Sequence, residues 1–345
     1  MRILITGSTG FAGSHLAEAL LTAGRIANPS YEEVERSKAL LTGGRIVNPS
    51  HEEVELFGTS LQKTWPVECK HLQGRVHLRT CDLCNKGAVA ALVREVQPQR
   101  VYHLAGYAHA GQSFREPQEA WAGNLTATCR LYDAIARWGG ETRILFVGSG
   151  LVYGDRRAGE PAPDESAPLR PSSPYASSKA AADLLSYQYT QAPGLDIVRV
   201  RPFNHIGPRQ SPQYAVAHFA KQIADIERGQ QPPVLKTGDL RPERDLTDVR
   251  DIVRAYVLLM QKGQIGEVYN AGTGNAHAME DVVKRLLGLA RVAIQVEQRV
   301  EPARAADNLL VRADASRLRR EIGWQPRIPL EQTLADTLNY WRQQP

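Results

Sequence analysis

Cysteine is scarce in this sequence of 345 residues, and long apolar runs are absent from it. Of the four cysteines only Cys81 and Cys84 stand in a CxxC spacing. Because no second Cys or His pair follows at metal-ligand spacing, we predict reduced thiols and no metal site. No apolar run approaches the roughly 20 residues that cross a membrane, and the run after Met1 is too short for a secretory signal. We therefore expect a cytoplasmic protein.

Charge of one sign is not concentrated either. The 42 basic and 37 acidic residues leave a net charge of +5, and Lys and Arg are spread along the chain. This balance fits a small anionic substrate as well as nucleic acid, so charge alone does not choose between them. Because no nucleic-acid-binding motif accompanies it, we expect a small-molecule substrate and neither a nucleic-acid nor a membrane partner.

Short β-branched runs alternate with helical patterns through the first two thirds of the chain, which is typical of βαβ units around a parallel sheet. The predicted strands cover residues 2–6, 54–59, 76–79, 101–105, 143–149, 196–201 and 267–270. The predicted helices include one capped by Asn85, one over 119–138, one that begins after Pro174, and two over 279–290 and 330–341. The fold class is therefore α/β, a Rossmann doubly wound parallel sheet with a smaller, interleaved C-terminal α/β domain. We assign residues 1–203 and 243–272 to a dinucleotide-binding domain, and residues 204–242 and 273–345 to a substrate-binding domain.

A tandem repeat interrupts this pattern. Residues 20–35 (LLTAGRIANPSYEEVE) recur almost letter for letter as residues 40–55 (LLTGGRIVNPSHEEVE). A solenoid needs at least about three copies, and removing one copy leaves a strand–helix–strand unit of ordinary length. We interpret the repeat, about residues 20–55, as an insertion after the first helix that forms an additional helical turn on the surface. A functional role is the alternative, although surface insertions are usually tolerated.

A glycine-rich turn lies where the first strand ends and a helix begins, in residues 6–13 (TGSTGFAG). Backbone N–H groups at such a helix N terminus bind pyrophosphate. Glycine is needed where a side chain would block the turn, the phosphates or the helix–strand packing. An ordinary tight turn is the alternative, but the strand before it and the helix after it favour a dinucleotide. The predicted cofactor contacts in this turn are Gly7, Thr9, Gly10, Phe11, Ala12 and Gly13.

Tyr175 and Lys179 stand four residues apart, on one face of the helix after Pro174. A cation near a phenol lowers the pKa of the phenol, which can then exchange a proton with a carbonyl or alcohol oxygen while hydride moves. Ser149, at the end of the fifth strand, is predicted to hold the reacting oxygen. YxxxK alone is common, so a chance pair on a surface helix is the alternative. Together with the glycine turn, the pattern predicts an NAD(P)-dependent oxidoreductase with Ser149, Tyr175 and Lys179 as catalytic residues, the last two also contacting the cofactor.

The GxxGxxG spacing of residues 7–13 resembles that of the extended short-chain dehydrogenases/reductases that act on nucleotide sugars. Asp82-Leu83, the segment 103–106 (HLAG) and Asn124 match the same family. The resemblance implies that Asp82 and Leu83 lie near the adenine and that Asn124 has a structural role. It implies further cofactor contacts at Leu104, Ala105 and Gly106. It also implies a homodimer, paired through the helix over 119–138 and the helix that carries Tyr175.

Residues 201–208 (RPFNHIGP) look most like the substrate loop of GDP-4-keto-6-deoxymannose reductases and of the related GDP-mannose 4,6-dehydratases. Segments 112–117, 244–249 and 323–326 extend the similarity. The resemblance implies NADPH-dependent reduction of the C4 keto group of a nucleotide-linked 4-keto-6-deoxy sugar, with GDP-4-keto-6-deoxy-D-mannose and GDP-D-rhamnose as the favoured substrate and product. A GDP-mannose 4,6-dehydratase or a nucleotide-sugar epimerase is the alternative within the class, and a cofactor-sensing binding protein is the alternative outside it.

Leu151 favours reduction over dehydration. A 4,6-dehydratase needs a carboxylate beside the sugar as general base, and in that group a glutamate stands two residues after the catalytic Ser or Thr. Leu151 occupies this position and cannot accept a proton. Reductases of this type often carry a polar residue there, so Leu151 also departs from their pattern.

The cofactor and substrate contacts follow from charge. The second strand ends at Gly58-Thr59-Ser60, without the acidic residue that usually binds the ribose 2′-OH, and Lys63 follows, so NADP(H) is favoured and NAD(H) is the alternative. The candidates for the substrate diphosphate are Arg209, Lys236, Arg244 and Arg304, because guanidinium and ammonium groups pair with phosphate oxygens. Each of these four is otherwise a solvated surface charge. Asn204, in the RPFNHIGP loop, is a further predicted substrate contact, and His109 and His205 are candidates to line the sugar pocket.

Overall fold

The computed structural model describes residues 1–23, 46–47, 53–155, 160–299 and 310–345. Arg304 and most of the tandem repeat lie outside the described residues. Within the second copy of the repeat, Ile46–Val47 form a short strand that pairs antiparallel with the strand Glu53–Ser60. These two residues therefore form a strand and not the predicted helical turn.

The chain divides into two compact units. The first unit comprises Met1–Gly148, Ser173–Val200 and Val253–Val268, and the second comprises Ser149–Ser172, Arg201–Ile252 and Tyr269–Pro345. These limits differ from the predicted domain limits, and the assignment of cofactor and substrate to them stays a prediction.

The secondary structure alternates strands and helices as the sequence pattern predicts. The strands are β1 (Arg2–Thr6), β2 (Ile46–Val47), β3 (Glu53–Ser60), β4 (His77–Thr80), β5 (Arg100–His103), β6 (Arg143–Val147), β7 (Asp196–Pro202), β8 (His205–Ile206), β9 (Val234–Thr237), β10 (Glu243–Asp245), β11 (Thr247–Asp248), β12 (Val268–Ala271), β13 (Ala276–Ala278), β14 (Gln295–Gln298) and β15 (Leu310–Val311). The helices are α1 (Phe11–Ala23), α2 (Lys86–Val96), α3 (Pro117–Trp121), α4 (Ala127–Trp138), α5 (Pro174–Gln191), α6 (Ala215–Glu227), α7 (Val249–Lys262), α8 (Met279–Gly288) and α9 (Leu330–Arg342). Among the described residues, no helix combines the length and apolar character needed to span a membrane.

A parallel sheet forms the centre of the fold, with the strand order β4–β3–β1–β5–β6–β7–β12. β1 pairs in parallel with both β3 and β5, so the strand order reverses at β1. In open α/β sheets ligands bind beyond the carboxyl ends of the strands at such a reversal. The glycine-rich turn directly follows β1, which places it at this point. The predicted Rossmann sheet is confirmed.

Local sequence signals explain the helices of the first unit. The Asn85 side chain accepts hydrogen bonds from the N–H groups of Gly87 (3.0 Å) and Ala88 (3.1 Å), which caps α2. The predicted apolar face of α2 is buried and consists of Val89, Leu92, Val93 and Val96. Both predictions for this helix are confirmed.

The long helix predicted over 119–138 is interrupted. α3 starts at Pro117, and a π-turn at Ala122–Thr126 separates it from α4. Asn124, the residue that the resemblance marks as structural, lies in this turn and is buried. Apolar periodicity does not distinguish one extra residue in a turn from a regular helix, so the sequence pattern predicted one continuous helix.

The second unit has its own apolar core. α6, α8 and α9 contribute most of its buried side chains, among them Phe219, Ile223, Val282, Leu334 and Leu338. Three small sheets accompany these helices, with the strand orders β13–β10–β15, β11–β8 and β14–β9.

Candidate active site

The turn after β1 can form only with glycine at two positions. Gly7 has φ +70°, a conformation that side chains disfavour, and a Cβ on Gly13 would lie 2.1 Å from the Gly7 carbonyl oxygen. The N–H of Gly10 donates to that same oxygen over 3.0 Å and closes the turn. The first N–H groups of a helix have no acceptor within the helix, so the start of α1 fits a bound pyrophosphate.

The end of β3 carries the hydroxyl groups of Thr59 and Ser60. A carboxylate at this position would select against the 2′-phosphate of NADP. Thr59 Oγ1 accepts a hydrogen bond from the N–H of Gly7 (3.2 Å), and Thr9 Oγ1 donates to Ser60 Oγ (3.2 Å). The N–H of Gln62 also donates to Ser60 Oγ, over 3.0 Å. Lys63, three residues after Ser60, is exposed. Residues 58–63, at this edge of the turn, therefore include a cation and no acid.

The predicted adenine contacts, Asp82 and Leu83, follow the end of β4. Asp82 is exposed, and its carboxylate accepts a hydrogen bond from the N–H of Cys84 over 2.8 Å. Leu83 is buried in the core of the first unit.

Tyr175 and Lys179 lie in the first two turns of α5. Ser173 caps this helix by accepting from the N–H of Ala176 (3.1 Å), and the N–H of Tyr175 donates to Ser113 Oγ (3.1 Å). The Lys179 ammonium is buried and donates to the carbonyl oxygen of Val147, at the end of β6, over 3.0 Å. Burial lowers the pKa of Lys179 to about 8. The Lys179 ammonium group thus lies in a low-dielectric environment, on the same face of α5 as the Tyr175 phenol.

The side chains of Asn124 and Lys179 both approach Gly106. A Cβ on Gly106 would lie 2.4 Å from Asn124 Oδ1 and 3.5 Å from Lys179 Nζ. The other end of the Asn124 amide donates to Ser178 Oγ over 2.9 Å. Sequence reasoning missed Ser113 and Ser178. Ser178 lies three residues after Tyr175, a spacing at which two helix residues meet, so its position was a usable signal.

Ser149 belongs to the second unit and starts a short 3-10 turn, Gly150–Tyr153. β6 ends two residues before it, at Val147, instead of continuing to Ser149 as predicted. Ser149 is buried, and its hydroxyl oxygen accepts from the N–H of Leu151 over 3.2 Å. The side chain of Leu151, two residues after Ser149, is a hydrocarbon and cannot act as a general base.

Asn204 and the predicted diphosphate contacts that the structure describes lie in the second unit, whereas His109, a candidate for the sugar pocket, lies in the first. The Oδ1 atom of Asn204 is buried and has no hydrogen-bond partner among the described residues. Arg209 has φ +70°, Arg244 is partly buried and donates to the carbonyl oxygen of Glu243 over 2.9 Å, and Lys236 is exposed on β9. Lys236 and Arg244 lie in different small sheets.

Two residues of the second unit, His205 and Asp245, have mainly structural surroundings. His205 Nδ1 lies 3.1 Å from the carbonyl oxygen of Phe203, and burial lowers the pKa of the ring. Asp245, which sequence reasoning did not single out, is fully buried and accepts from the N–H groups of Thr273, Gly274 and Ala313. It therefore ties β10, which carries Arg244, to two other segments of the second unit.

Comparison with known proteins agrees with this geometry. The family described as GDP-mannose 4,6 dehydratase matches residues 4–337. The chain belongs to this family. The family's nucleotide-sugar enzymes are extended short-chain dehydrogenases/reductases, and the chain is therefore an NAD(P)-dependent oxidoreductase of that type, as the sequence predicted.

Relatives of the chain within this family carry several activities. The chain is 36% identical over 245 residues to the GDP-6-deoxy-D-mannose reductase of Pseudomonas aeruginosa, which covers 71% of this chain and 80% of the relative. It is 30% identical over 347 residues to a dTDP-glucose 4,6-dehydratase of an Actinoplanes species, covering 99% and 98% of the two chains. Family membership alone therefore does not choose between reduction and dehydration.

Solved structures similar to this chain include complexes with NADPH and with NAD. RMD from Pseudomonas aeruginosa, complexed with NADPH, superimposes with a TM-score of 0.78 at 30% identity, over 99% of this chain and 98% of that chain. The UDP-glucose 4-epimerase of Thermus thermophilus, complexed with NAD, superimposes with a TM-score of 0.81 at 28% identity, over 99% of both chains.

Proposed function

We propose that this enzyme reduces the C4 keto group of a nucleotide-linked 4-keto-6-deoxy sugar, with GDP-4-keto-6-deoxy-D-mannose as substrate and GDP-D-rhamnose as product. The observation that carries the proposal is Leu151, which stands where a dehydratase needs a carboxylate. Reduction needs only a hydride donor and a proton donor, and Tyr175, assisted by Lys179, is the proposed proton donor. The similarity to the Pseudomonas GDP-6-deoxy-D-mannose reductase supports the same choice.

NADPH is the proposed hydride donor, with NADH as the alternative. The glycine turn fits the pyrophosphate, with Gly7, Gly10 and Gly13 leaving room and the first N–H groups of α1 as ligands. The hydroxyl groups at the end of β3 and the nearby Lys63 suit a 2′-phosphate. The NADPH complex of RMD supports this assignment, whereas the epimerase relative binds NAD. When bound, the cofactor supplies a hydride to C4 of the sugar.

In the proposed mechanism Tyr175 donates its phenolic proton to the C4 oxygen, which becomes the hydroxyl group of the product. The resulting phenolate recovers a proton from solvent. Lys179 stabilises that phenolate, because its buried cation is screened less than an exposed one would be. Ser149 is proposed to hold the reacting oxygen through its hydroxyl group.

We further propose that the first unit binds the cofactor and the second unit binds the nucleotide sugar. The amide oxygen of Asn204, which has no hydrogen-bond partner among the described residues, is proposed to accept a hydrogen bond from a hydroxyl group of the substrate. Arg209, Lys236 and Arg244 remain the proposed diphosphate contacts, together with Arg304.

A homodimer is the proposed assembly. Trp121 on α3, and Leu184 and Tyr187 on α5, lie on the helices through which the resemblance implies pairing, and they are 40%, 59% and 47% exposed. Light scattering after size exclusion checks this, and a mass of one chain contradicts it.

Incubation with GDP-4-keto-6-deoxy-D-mannose and NADPH tests the function. We expect the absorbance of the reduced nicotinamide to fall and GDP-D-rhamnose to form. Tyr175→Phe should lower the rate by about 10²–10⁴-fold, the usual contribution of a general acid. A folded protein that leaves NADPH unchanged contradicts the proposal. A keto product from GDP-mannose would identify a dehydratase instead.

A further inference from the structure

A chain of buried hydrogen bonds crosses the first unit below the glycine turn. The N–H of Ala105 donates to Thr6 Oγ1 (3.0 Å), which lies 2.8 Å from His103 Nδ1. On the other side of the ring, His103 Nε2 lies 2.9 Å from Thr128 Oγ1. The Thr128 hydroxyl group donates to the carbonyl oxygen of Asn124 over 2.5 Å. Thr6, His103, Thr128 and Asn124 are all buried.

The direction of each hydrogen bond follows from proton counting. Thr128 gives its one hydroxyl proton to Asn124, so its oxygen must accept from an Nε2–H of His103. With that proton on Nε2, the neutral ring accepts at Nδ1 from the Thr6 hydroxyl group. Burial, and secondly the charge of Lys179, lower the pKa of His103 to about 3, so the ring stays neutral. One tautomer satisfies the whole chain.

The chain continues from Asn124 to the catalytic helix. Asn124 Nδ2 donates to Ser178 Oγ over 2.9 Å, and Ser178 Oγ donates to the carbonyl oxygen of Tyr175 over 2.8 Å. This orients the amide so that Oδ1 faces Gly106, where it has no hydrogen-bond partner among the described residues. The ring of His103 is thereby linked, through fixed donors and acceptors, to the first turn of α5.

We propose that His103 and Thr128 are positioning residues for Tyr175 and Lys179. The neutral ring at the end of β5 holds the Thr128 hydroxyl group, which holds the π-turn at Asn124. The Asn124 amide in turn holds the start of α5. Because Thr6 immediately precedes Gly7, the same chain connects the glycine turn to the proton donor. The kinetic part of this inference rests on the proposed function, and the spectroscopic part does not.

Nitrogen-15 NMR of the histidine rings in the full chain, without cofactor, tests the chain directly. We expect His103 to show the neutral Nε2–H tautomer throughout about pH 5 to 8, where an ordinary histidine titrates. Thr128→Val removes the acceptor for Nε2–H and should shift that nitrogen resonance or mix the two tautomers, whereas Thr128→Ser should preserve the spectrum. A ring that titrates in this range, or an Nδ1–H tautomer, overturns the proposal.

Kinetics then separate positioning from simple stability. Thr128→Val should lower kcat by about tenfold, because small displacements of catalytic groups cost this much or more. It should also shift the pH profile of kcat and leave the dissociation constant of NADPH within about twofold, while Thr128→Ser keeps most of the rate. A merely structural role would lower Tm but leave the pH profile in place. Unchanged kcat and pH profile in a folded Thr128→Val variant overturn the proposal.

Two variants of the ring provide the same test if Thr128→Val does not fold. His103→Gln keeps a donor towards Thr128, and His103→Asn keeps only an acceptor towards Thr6. We expect the first to retain more turnover, and equal turnover overturns the proposal. If the wild type does not reduce the keto sugar, the proposed function is wrong, and the NMR experiment still decides whether the hydrogen-bond chain exists.

Discussion

A buried ion pair anchors the helix that carries Tyr175 and Lys179. Asp183 lies one turn after Lys179 on α5, and its Oδ1 accepts from Arg199 NH1, on β7, over 2.6 Å. Arg199 NH2 also donates to the carbonyl oxygen of Gly266 over 2.7 Å. The two side chains are 0% and 9% exposed, so water screens neither charge well.

Asp183→Asn removes one charge at nearly constant volume and leaves the Arg199 guanidinium buried without a counterion. Breaking a buried pair in this way costs about 3–5 kcal/mol. At the lower end of the usual conversion, about 2 °C per kcal/mol, we expect Tm to fall by about 6–10 °C.

The pair Arg79–Glu95 provides a matched control. Its N···O distance is also 2.6 Å, but its side chains are 36% and 53% exposed. Since exposed pairs contribute only about 0–1 kcal/mol, Glu95→Gln should lower Tm by about 2 °C at most.

Thermal unfolding of both variants beside the wild type is the assay. Equal shifts in the two variants, or no shift in Asp183→Asn, would refute the reasoning that burial makes the difference. The double variant Asp183→Leu, Arg199→Met should recover most of the lost Tm, because apolar residues often replace a whole buried pair at little cost.

Three further predictions concern other positions. Burial lowers the pKa of Lys179 from 10.5 to about 8, so the wild type gains stability as the pH rises from about 8 to 10.5. The Tm of Lys179→Met minus that of the wild type should therefore be largest below about pH 8 and decrease towards pH 10.5. A difference in Tm that does not depend on pH contradicts this prediction. Gly13→Ala should weaken NADPH binding in calorimetry by more than about tenfold, or 1.4 kcal/mol, because its Cβ meets the Gly7 carbonyl at 2.1 Å, whereas Gly288→Ala, with nothing within 4 Å, should bind normally. Asp245→Asn disturbs four hydrogen bonds to one buried carboxylate and should destabilise the protein by about 3 kcal/mol, and a Tm equal to that of the wild type contradicts the role given to it.

The sequence by itself determined those features whose causes lie within a few residues. The cap at Asn85 and the buried face of α2 depend on neighbours up to one or two helical turns away, so their spacing was sufficient. The glycine turn depends on steric limits between Gly7 and Gly13, six residues apart. The Tyr175/Lys179 pair needs only helical spacing. The alternation of these local units was enough to predict the parallel sheet.

Only the tertiary structure decided how distant polar groups meet. The Thr6–His103 and His103–Thr128 hydrogen bonds join residues 97 and 25 positions apart, and no local pattern specifies such partners. The lowered pKa of Lys179 comes from burial between elements that the chain brings together only on folding. Asn124, in the π-turn, also donates its hydrogen bond to Ser178, in a segment 54 positions away. The sequence thus predicted candidate site residues such as Tyr175 and Lys179, and it missed Ser113 and Ser178. Packing decided the protonation and orientation of these groups, because both depend on what surrounds a group in space.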